Sequence, residues 1–599
     1  MKNQLLSAIF LLFAAFGFSQ TDKRLKNIEK EFEKILEITH APGFAVAIVE
    51  GGKTLYAKGF GYRDLENKIP MDENTLLAIG SCSKAFTSAI LGQLRNNESL
   101  TFNDSPIDYI PELRFYNDQL NNEINIRDLM SHQTGIPRHD GSWYLFPTFN
   151  RDSLVQRIQY HEPFTGLRQK WHYNNFMFLL QGVIAERITG KSWEENIKER
   201  FFSPLQMNRS NLSIKALENS ENAAVGYEYF KDSITRKMDY YQIAAMAPAG
   251  SINSSVSEMA NWLKVWINNG KFKDSTILPE NYVKEAISSH AVIGSGYPSD
   301  ENPDMFLANY GYGWMVSAYR GHYRVEHGGN IDGFSASTAF FPTDSLGIVV
   351  LTNQNGSSVP TLIRNTVADH IFNTKKTDWA DYYRKQKEEE QKAKEAGKNA
   401  ADSTEIKNTT PSHDLSAYTG FYENKGYGRF EITKESDSLF VHFKLLKFYL
   451  KHRYYDIFEP LEVTSTGIED FDEMPVKFNF TTNDAGDISS MKVQIEPSLD
   501  HPIEFKREPK ALDLDVSELK KYEGEYELTG IEIKVYIKGE GLYMFVPGQP
   551  EYNLLATGED GFNIKGLEGF KTKFKTLENE KMKELVLIQP NGTFVAMRK

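Results

Sequence analysis

Cysteine is almost absent from this 599-residue chain, which contains only Cys82. A single thiol can form neither an intrachain disulfide nor a cysteine-based zinc site. A basic patch is absent as well, since 68 lysines and arginines face 81 aspartates and glutamates and the net charge is −13. This charge balance argues against nucleic acid as a partner. Beyond the first twenty residues no apolar run is long enough to cross a bilayer, so no later membrane span is expected.

The one long apolar run lies near the N-terminus, over residues 5–16, after the positive Lys2. Residues 17–19 read Gly-Phe-Ser and place small side chains before Gln20, as at a signal-peptidase site. The pattern predicts a signal peptide over residues 1–19 and an exported protein, periplasmic or secreted. An uncleaved membrane anchor is the alternative, although the run is short for a bilayer span.

Composition divides the rest of the chain into further regions. Residues 20–378 carry mixed strand and helix patterns, as in one large domain. Residues 379–411 are rich in Lys, Glu and Gln, and residues 412–510 and 511–599 alternate apolar and polar side chains as short strands do. The charged stretch predicts an exposed helix followed by a linker; a binding role for this stretch is the alternative.

The two C-terminal regions repeat a tyrosine motif. Residues 418–422 read Tyr-Thr-Gly-Phe-Tyr, and residues 522–526 read Tyr-Glu-Gly-Glu-Tyr. Short alternating strands follow each copy. The repeat predicts a duplicated all-β module, each copy having the size of a small barrel or sandwich.

The large region predicts an α+β fold whose sheet is mainly antiparallel. Strand patterns occur at both of its ends, and helix patterns lie between and around them. The predicted strands are residues 44–49, 54–60, 323–327, 334–341 and 347–351, and the predicted closing helix is residues 360–372.

A nearly uncharged helix pattern runs over residues 80–92, and its one charge is Lys84. Such a helix is usually buried. Ser81 precedes Lys84 by three residues, so both side chains lie on one face. A desolvated lysine loses affinity for its proton and can act as the base that a serine nucleophile needs, while free N–H groups at a helix start suit an oxyanion. The alternative is a serine cap followed by a lysine that reaches solvent.

Other candidate residues follow along the chain. Tyr173 and Asn175 precede an apolar helix pattern over residues 176–187, and Asn175 is well placed as its N-cap. Their alternatives are a core tyrosine and a helix cap. His132 and His139 have the chemistry of ligands or acid–base groups, against the alternatives of a helix-end cap and a loop histidine.

Taken together, the motifs resemble those of the penicillin-recognising serine hydrolases, in the class C β-lactamase-like branch. That branch includes D-alanyl-D-alanine carboxypeptidases, D-aminopeptidases and esterases. The resemblance spans about residues 25–375 and implies a β-lactamase/transpeptidase-like domain, in which helices and a helical subdomain flank an antiparallel sheet. The C-terminal modules resemble appended lipocalin-like β-barrels. The matching stretches are residues 80–84 (Ser-x-x-Lys box), 129–132, 173–175 (Tyr-x-Asn box), 248–250 and 327–329 (His-Gly-Gly, the third box).

The resemblance implies catalytic roles for three side chains. Ser81 is expected to be the nucleophile that forms an acyl-enzyme, and Lys84 to be its base or proton relay. Tyr173 is expected to pass a proton to the leaving group, which requires cations near the phenol to favour its ionised form. The N–H groups of Ser81 and Asn330 are expected to form the oxyanion hole. No metal or organic cofactor is implied.

Substrate contacts are also implied by the resemblance. Asn175 is expected to hydrogen-bond the substrate amide, and His327 to contact a substrate carboxylate or assist the proton relay. Gly328 and Gly329 have no side chains, so a substrate can lie along the strand backbone; a strand bend is the alternative for this motif. Many β-lactamases have Lys-Thr-Gly in the third box, and a histidine is positive only part of the time at neutral pH.

The motifs thus predict an enzyme that cleaves an amide or an ester, as a peptidase, amidase or esterase does. The expected substrates are short peptides or esters, including peptides that contain D-amino acids or derive from the cell wall. One alternative is a β-lactamase proper. Another is a binding protein with a vestigial catalytic domain that acts through its β modules.

Overall fold

The computed structural model describes residues 22–599 apart from residues 232, 301, 404–405, 407, 465–466, 470–475, 509–510, 559, 568 and 577–581. The expected signal peptide, residues 1–19, lies outside the described residues. Within the part of the chain that the structure describes, no helix combines the length and the apolar character needed to cross a membrane.

A nine-stranded antiparallel sheet forms the centre of the large domain. The first strands pair with the last, with Val46 opposite Val350, so the two ends of the region are joined in one sheet. In spatial order the strands are Ala291–Val292, Phe306–Tyr310, Met315–Tyr319, His322–Ile331, Phe334–Phe341, Leu346–Thr352, Gly43–Glu50, Lys53–Asp64 and Ile69–Pro70.

Alternation along the strand Gly43–Glu50 sends side chains to two separate cores. Val46 and Ile48 pack against one layer, made of the helices Ile28–Thr39 and Val359–Ile371. Ala45 and Ala47 pack against the opposite layer, which contains most of the helices. Those helices are Lys84–Asn96, Pro106–Tyr109, Asp118–Glu123, Ile126–Ser131, Gly141–Tyr144, Arg151–Arg157, Asn175–Thr189, Trp193–Ile197, Ile214–Glu218, Ala247–Gly250, Val256–Ile267 and Glu280–Ala286. Because both faces of the sheet are covered, the strands Gly43–Glu50 and Leu346–Thr352 are largely apolar and almost entirely buried.

The charged stretch is one long helix, Trp379–Ser403. Trp379 anchors its start, since the indole is buried and donates to the carboxylate of Asp369 at 2.9 Å. Beyond Ala380, which is also buried, the described side chains up to residue 397 are exposed or half-buried.

Each C-terminal module closes into an eight-stranded barrel. The first has the strands Gly420–Asn424, Gly428–Glu435, Ser438–His442, Lys447–Tyr454, Ile457–Thr464, Phe478–Thr482, Ile488–Val493 and Ile503–Glu508, with Gly467–Glu469 paired outside the circuit. The second has the strands Gly524–Leu528, Ile531–Lys538, Gly541–Phe545, Tyr552–Gly558, Gly561–Ile564, Lys571–Thr576, Met582–Gln589 and Gly592–Arg598. The predicted α+β domain followed by two small all-β barrels is confirmed.

The repeated tyrosines occupy equivalent places in the two barrels. Tyr422 donates its hydroxyl to the carbonyl of Tyr418 at 2.8 Å, and Tyr526 does the same to Tyr522 at 3.0 Å. The first tyrosine of each pair also donates to an aspartate, Tyr418 to Asp456 and Tyr522 to Asp560. The same side-chain contacts at matching positions support a duplication.

Candidate active site

The Ser81 backbone lies directly against the third-box strand. Gly80–Ser83 is a 3₁₀ turn that leads into the helix Lys84–Asn96. A β-carbon on Gly80, where φ is +50°, would lie 2.9 Å from the nitrogen of Asn330. One on Gly329 would lie 2.0 Å from the carbonyl oxygen of Ile79 and 3.1 Å from the nitrogen of Ser81. Both glycines are therefore needed for the turn and the strand to approach each other.

Lys84 is buried and surrounded by oxygen atoms. Its Nζ lies 2.9 Å from Ser81 Oγ, 2.7 Å from Asn175 Oδ1 and 2.8 Å from the carbonyl oxygen of Ala249. Burial lowers the pKa of this amine well below its usual 10.5, although the charge of Asp140 opposes the shift. A neutral amine has two N–H groups, and the amide and carbonyl oxygens can only accept them. In that neutral form, the nitrogen lone pair faces the hydroxyl of Ser81.

Asn175 is held in place from both ends of its amide. Its Oδ1 accepts from Lys84, and its Nδ2 donates to Asp140 Oδ1 at 2.8 Å. The prediction that Asn175 caps the following helix is wrong by one residue. Asn174 is the cap, since its side chain accepts from the N–H of Phe176 at 2.8 Å. This frees the Asn175 side chain for the lysine.

Tyr173 covers Ser81. Its phenol lies beside Ser81, and its ring centroid lies 4.8 Å from Lys84 Nζ and 4.9 Å from the guanidinium carbon of Arg138. Burial raises the pKa of the phenol, and this effect exceeds the opposing effects of Ser81 and Arg138. Tyr173 is therefore protonated in the resting protein, in contrast to the ionised form that nearby cations were expected to favour.

Both ring nitrogens of His327 have protein partners. Nδ1 lies 2.6 Å from the carbonyl oxygen of Gly328, which only accepts, so Nδ1 carries the proton and Nε2 accepts from the Tyr310 hydroxyl at 3.0 Å. Burial is the main cause that lowers the pKa of His327 to about 3. The imidazole is thus neutral at physiological pH, which removes the cation that Lys-Thr-Gly provides at this place.

We expect the variant His327→Gln to leave the pH profile of hydrolysis unchanged in shape between pH values of about 5 and 9. With a pKa of about 3, His327 does not change charge in that range. The measurement is kcat/KM against pH for both proteins with one ester substrate. Loss of an ionisation near the usual histidine value of 6.5 in the variant would contradict this assignment.

The other residues singled out in the sequence have different surroundings. Cys82 is buried, its thiol donates to the carbonyl of His327 at 3.1 Å, and burial raises its pKa to about 11, so it remains an unreactive thiol. His132 lies under Tyr173 with the ring centroids 4.5 Å apart. His139 lies on the far side of the Arg138–Asp140 segment and faces the first barrel.

Sequence reasoning missed the residues that complete the lysine's environment. Asp140 and Arg138 belong to no motif and follow no periodic pattern, and the role of Ala249 is carried by a backbone carbonyl. The only sequence signal for this group was that residues 248–250 are one of the stretches that resemble the family. Tyr310, the partner of His327, was missed because the sequence analysis predicted no strand over Phe306–Tyr310, which lies two strands from His327 in the sheet.

Ser81 opens on a cleft of about 940 Å³. The large domain and the first barrel both line the cleft, since Ser498 of the first barrel contributes to its wall. Among the described residues no group of three or more His, Cys, Asp and Glu side chains is arranged to hold a metal ion. The residues that line the cleft include Ser81, Arg138, Tyr173, His327, Arg364 and Ser498.

Comparison with known proteins identifies two families along the chain. A model described as Beta-lactamase matches residues 28–371, and one described as Domain of unknown function (DUF3471) matches residues 404–507. The protein named Unguisins hydrolase ungD' from Aspergillus campestris (strain IBT 28561) is 27% identical over 442 residues, 69% of this chain and 79% of that protein. Protein flp of Staphylococcus aureus (strain MW2) is 27% identical over 350 residues, 58% of this chain and 66% of that protein.

A solved structure shares the fold. The octameric penicillin-binding protein homologue from Pyrococcus abyssi aligns with a TM-score of 0.51 and 21% identity, over 80% of this chain and 100% of that chain. The Beta-lactamase model matches more than half of the residues, and the antiparallel sheet with its helical layers agrees with that match. The chain therefore belongs to the Beta-lactamase family, whose members are generally serine hydrolases.

Proposed function

We propose that this protein is a serine hydrolase that cleaves an amide or ester bond through an acyl-enzyme on Ser81. One observation carries the proposal. Lys84 Nζ lies within 2.9 Å of the oxygens of Ser81, Asn175 and Ala249, and burial lowers the pKa of the amine. In its neutral form the two N–H groups are taken by Asn175 and Ala249, and the lone pair faces the Ser81 hydroxyl. A base at hydrogen-bond distance from a nucleophile is the arrangement that covalent catalysis requires.

In the proposed acylation step, the Ser81 proton moves to Lys84 as Oγ attacks the carbonyl carbon. The developing oxyanion is placed between the N–H groups of Ser81 and Asn330, whose backbones lie against each other. The bond to the leaving group then breaks. Tyr173 is protonated, so its phenol donates to the departing nitrogen or oxygen and regains a proton from Lys84.

In the proposed deacylation step, water takes the place of the leaving group. Lys84, neutral again, accepts a proton from this water through Tyr173, and the resulting hydroxide attacks the acyl carbon. The ester bond to Ser81 breaks, and Oγ recovers a proton from the lysine. Asn175 holds the lysine in both steps and binds the substrate amide in this proposal.

We propose short peptides and esters as the substrate class, including peptides that contain D-amino acids or derive from the cell wall. The neutral state of His327 supports this choice over a β-lactamase proper, because the cation that would bind a substrate carboxylate in the third box is lacking. Gly328 and Gly329 leave the strand open for backbone contacts with a peptide. The relative from Aspergillus campestris is itself named a hydrolase.

Covalent labelling tests the proposed function. The full chain is incubated with a fluorophosphonate, digested, and mapped by mass spectrometry. We expect a single adduct, on the peptide that contains Ser81. Turnover is then measured on D- and L-aminoacyl anilides, p-nitrophenyl esters and nitrocefin. No adduct together with no turnover of any substrate would overturn the proposal, and nitrocefin as the best substrate would favour a β-lactamase.

We also propose that the protein is exported, periplasmic or secreted. The positive Lys2, the apolar residues 5–16 and the small residues before Gln20 support this. Fractionation of the native host followed by N-terminal analysis tests it. A mature protein that begins at Gln20 outside the cytoplasm is expected, and a cytoplasmic protein with Met1 intact would overturn it.

A further inference from the structure

The segment 137–147 lies between the catalytic lysine and the first barrel. On one side, Asp140 Oδ1 accepts from Asn175 Nδ2 at 2.8 Å and from the indole N–H of Trp143 at 2.7 Å. Its Oδ2 accepts from Arg138 Nε at 2.6 Å. Asn175 in turn binds Lys84. The position of this segment therefore decides where the lysine amine points.

His139 lies between Arg138 and Asp140 in the chain, but its contacts are on the opposite side, with the first barrel. Its backbone N–H donates to Glu496 Oε2 at 2.6 Å. Its Nε2 faces the carbonyl oxygen of Glu162 at 3.1 Å and so carries the proton, while Nδ1 accepts from the Tyr427 hydroxyl at 2.8 Å. His139, Glu496 and Tyr427 are all buried. Buried polar groups with full hydrogen bonding hold a segment in one position.

Phe146, at the end of the same segment, enters the apolar interior of the barrel. Its side chain belongs to the barrel core, with its ring centroid 5.4 Å from that of Phe443 and 6.0 Å from that of Phe505. Gly428 makes room for it, since a β-carbon there would lie 2.6 Å from the Phe146 ring. The hydroxyl of Ser142 adds a hydrogen bond to the carbonyl of Gly426 at 2.6 Å.

With Phe146 in place, the interior of the first barrel has little free space. The cavity beside it measures about 70 Å³ and is lined entirely by apolar side chains. Sites for small organic ligands usually measure roughly 300–1,000 Å³. This cavity is therefore too small for such a ligand, and Phe146 of the hydrolase domain occupies space beside it.

We infer that the first barrel positions the catalytic lysine. It binds His139 and Phe146 and so fixes Asp140, which orients Asn175 and, through it, the lone pair of Lys84. The inference rests on the proposed function and assigns a role to the region matched by a domain of unknown function. Phe146 and the barrel residues Tyr427 and Glu496 are positioning residues, since their contacts are with each other's segments and not with Ser81.

The test uses the full chain and two variants of different severity. Phe146→Ala removes the ring that packs in the core of the first barrel, and Tyr427→Phe removes a single hydroxyl while keeping the ring. The matched control is Phe574→Ala in the second barrel, a phenylalanine that is also buried but packs against Tyr522 and Phe562. Circular dichroism verifies that each protein is folded.

We expect kcat on a small p-nitrophenyl ester to fall by about 10- to 100-fold in Phe146→Ala, and by less in Tyr427→Phe, because a displacement near 1 Å at a catalytic group has an effect of this size. KM should stay close to that of the parent protein, since a small ester has no amide group for Asn175 to bind. The Phe574→Ala control should keep both constants. An equal fall in kcat for Phe146→Ala and Phe574→Ala, or a rise in KM alone, would overturn the inference.

Hydrogen–deuterium exchange gives a readout that does not depend on turnover. Peptides covering residues 137–147 and the start of the helix Asn175–Thr189 should exchange faster in Phe146→Ala and in Tyr427→Phe. They should not do so in the control Phe574→Ala. If the parent protein shows no hydrolysis, the proposed function fails and this measurement still decides whether the barrel holds the segment. Unchanged exchange of residues 137–147 in Phe146→Ala would overturn the inference whatever the activity.

Discussion

The variant Ser81→Ala should lose at least about 10³-fold in kcat/KM on whichever substrate the parent protein hydrolyses best. The reason is that no other group replaces the oxygen. Ser81 is the hydroxyl that meets both the lone pair of Lys84 and the phenol of Tyr173. Cys82 cannot substitute for it, because its thiol points to the carbonyl of His327 and its pKa is raised to about 11.

The measurement is steady-state kinetics together with fluorophosphonate labelling. Ser88→Ala is the matched control, since Ser88 is a buried hydroxyl on the same helix whose Oγ donates to Gln181 Oε1 at 2.8 Å, away from the cleft. The control should retain labelling and turnover, while Ser81→Ala should lose both. Turnover by Ser81→Ala at the parent rate would rule out the acyl-serine mechanism.

The variant Lys84→Met should lower kcat/KM by about 10²- to 10⁴-fold, the range that a positioned general base contributes. Methionine has nearly the length of lysine and fills the same space, so the loss reports on chemistry more than on packing. Lys84→Arg should be inactive as well, because a guanidinium stays protonated and cannot accept the proton of Ser81. Full activity in either variant would contradict the role of Lys84 as base.

Lys84 should also give the stability of the protein a dependence on pH. Its pKa in the folded protein lies well below 10.5, so between these two values the unfolded chain binds a proton that the folded protein does not. The free energy of unfolding therefore rises with pH in this range, by at most about 1.4 kcal/mol per pH unit from this group. The variant Lys84→Met should lack this part of the slope.

Tryptophan fluorescence during chemical denaturation can measure how the free energy of unfolding changes with pH in the domain that contains Lys84. All seven tryptophans lie between Trp143 and Trp379, so their emission reports on the hydrolase domain and not on the barrels. The difference between parent and Lys84→Met should grow in favour of the parent as pH rises towards 10.5. Equal slopes would mean that the lysine is charged in the folded protein.

Much of the architecture could be predicted because it follows from local pattern. The alternation of residues 44–49 and 347–351 indicated strands, and the repeated tyrosine motif at 418–422 and 522–526 indicated a duplicated module. The structure has strands in the first two places and closed barrels after them. The start of the helix at Asn175 was misplaced by one residue, since Asn174 and Asn175 have equal capping ability and tertiary contacts decide between them.

Part of the candidate site could likewise be predicted from local sequence, and part could not. The spacing of Ser81 and Lys84 placed the two side chains on one face of a turn, and the structure brings them within 2.9 Å. Their link to Asp140 depends on Asn175, which is 91 residues from Lys84 along the chain. No periodic or spacing signal encodes such a contact. The entry of Phe146 into the barrel is likewise a long-range contact.

The sequence by itself therefore determined the kinds of chemical group and their local geometry: a serine and a lysine on one turn, a tyrosine before a buried helix, and a histidine between strand and glycines. Only the tertiary structure decided their protonation and their orientation. Burial by distant segments lowers the pKa of Lys84 and of His327, and the first barrel holds the segment that orients the lysine. The physical reason is that desolvation and long-range hydrogen bonds depend on the packing of the whole molecule, which local sequence does not specify.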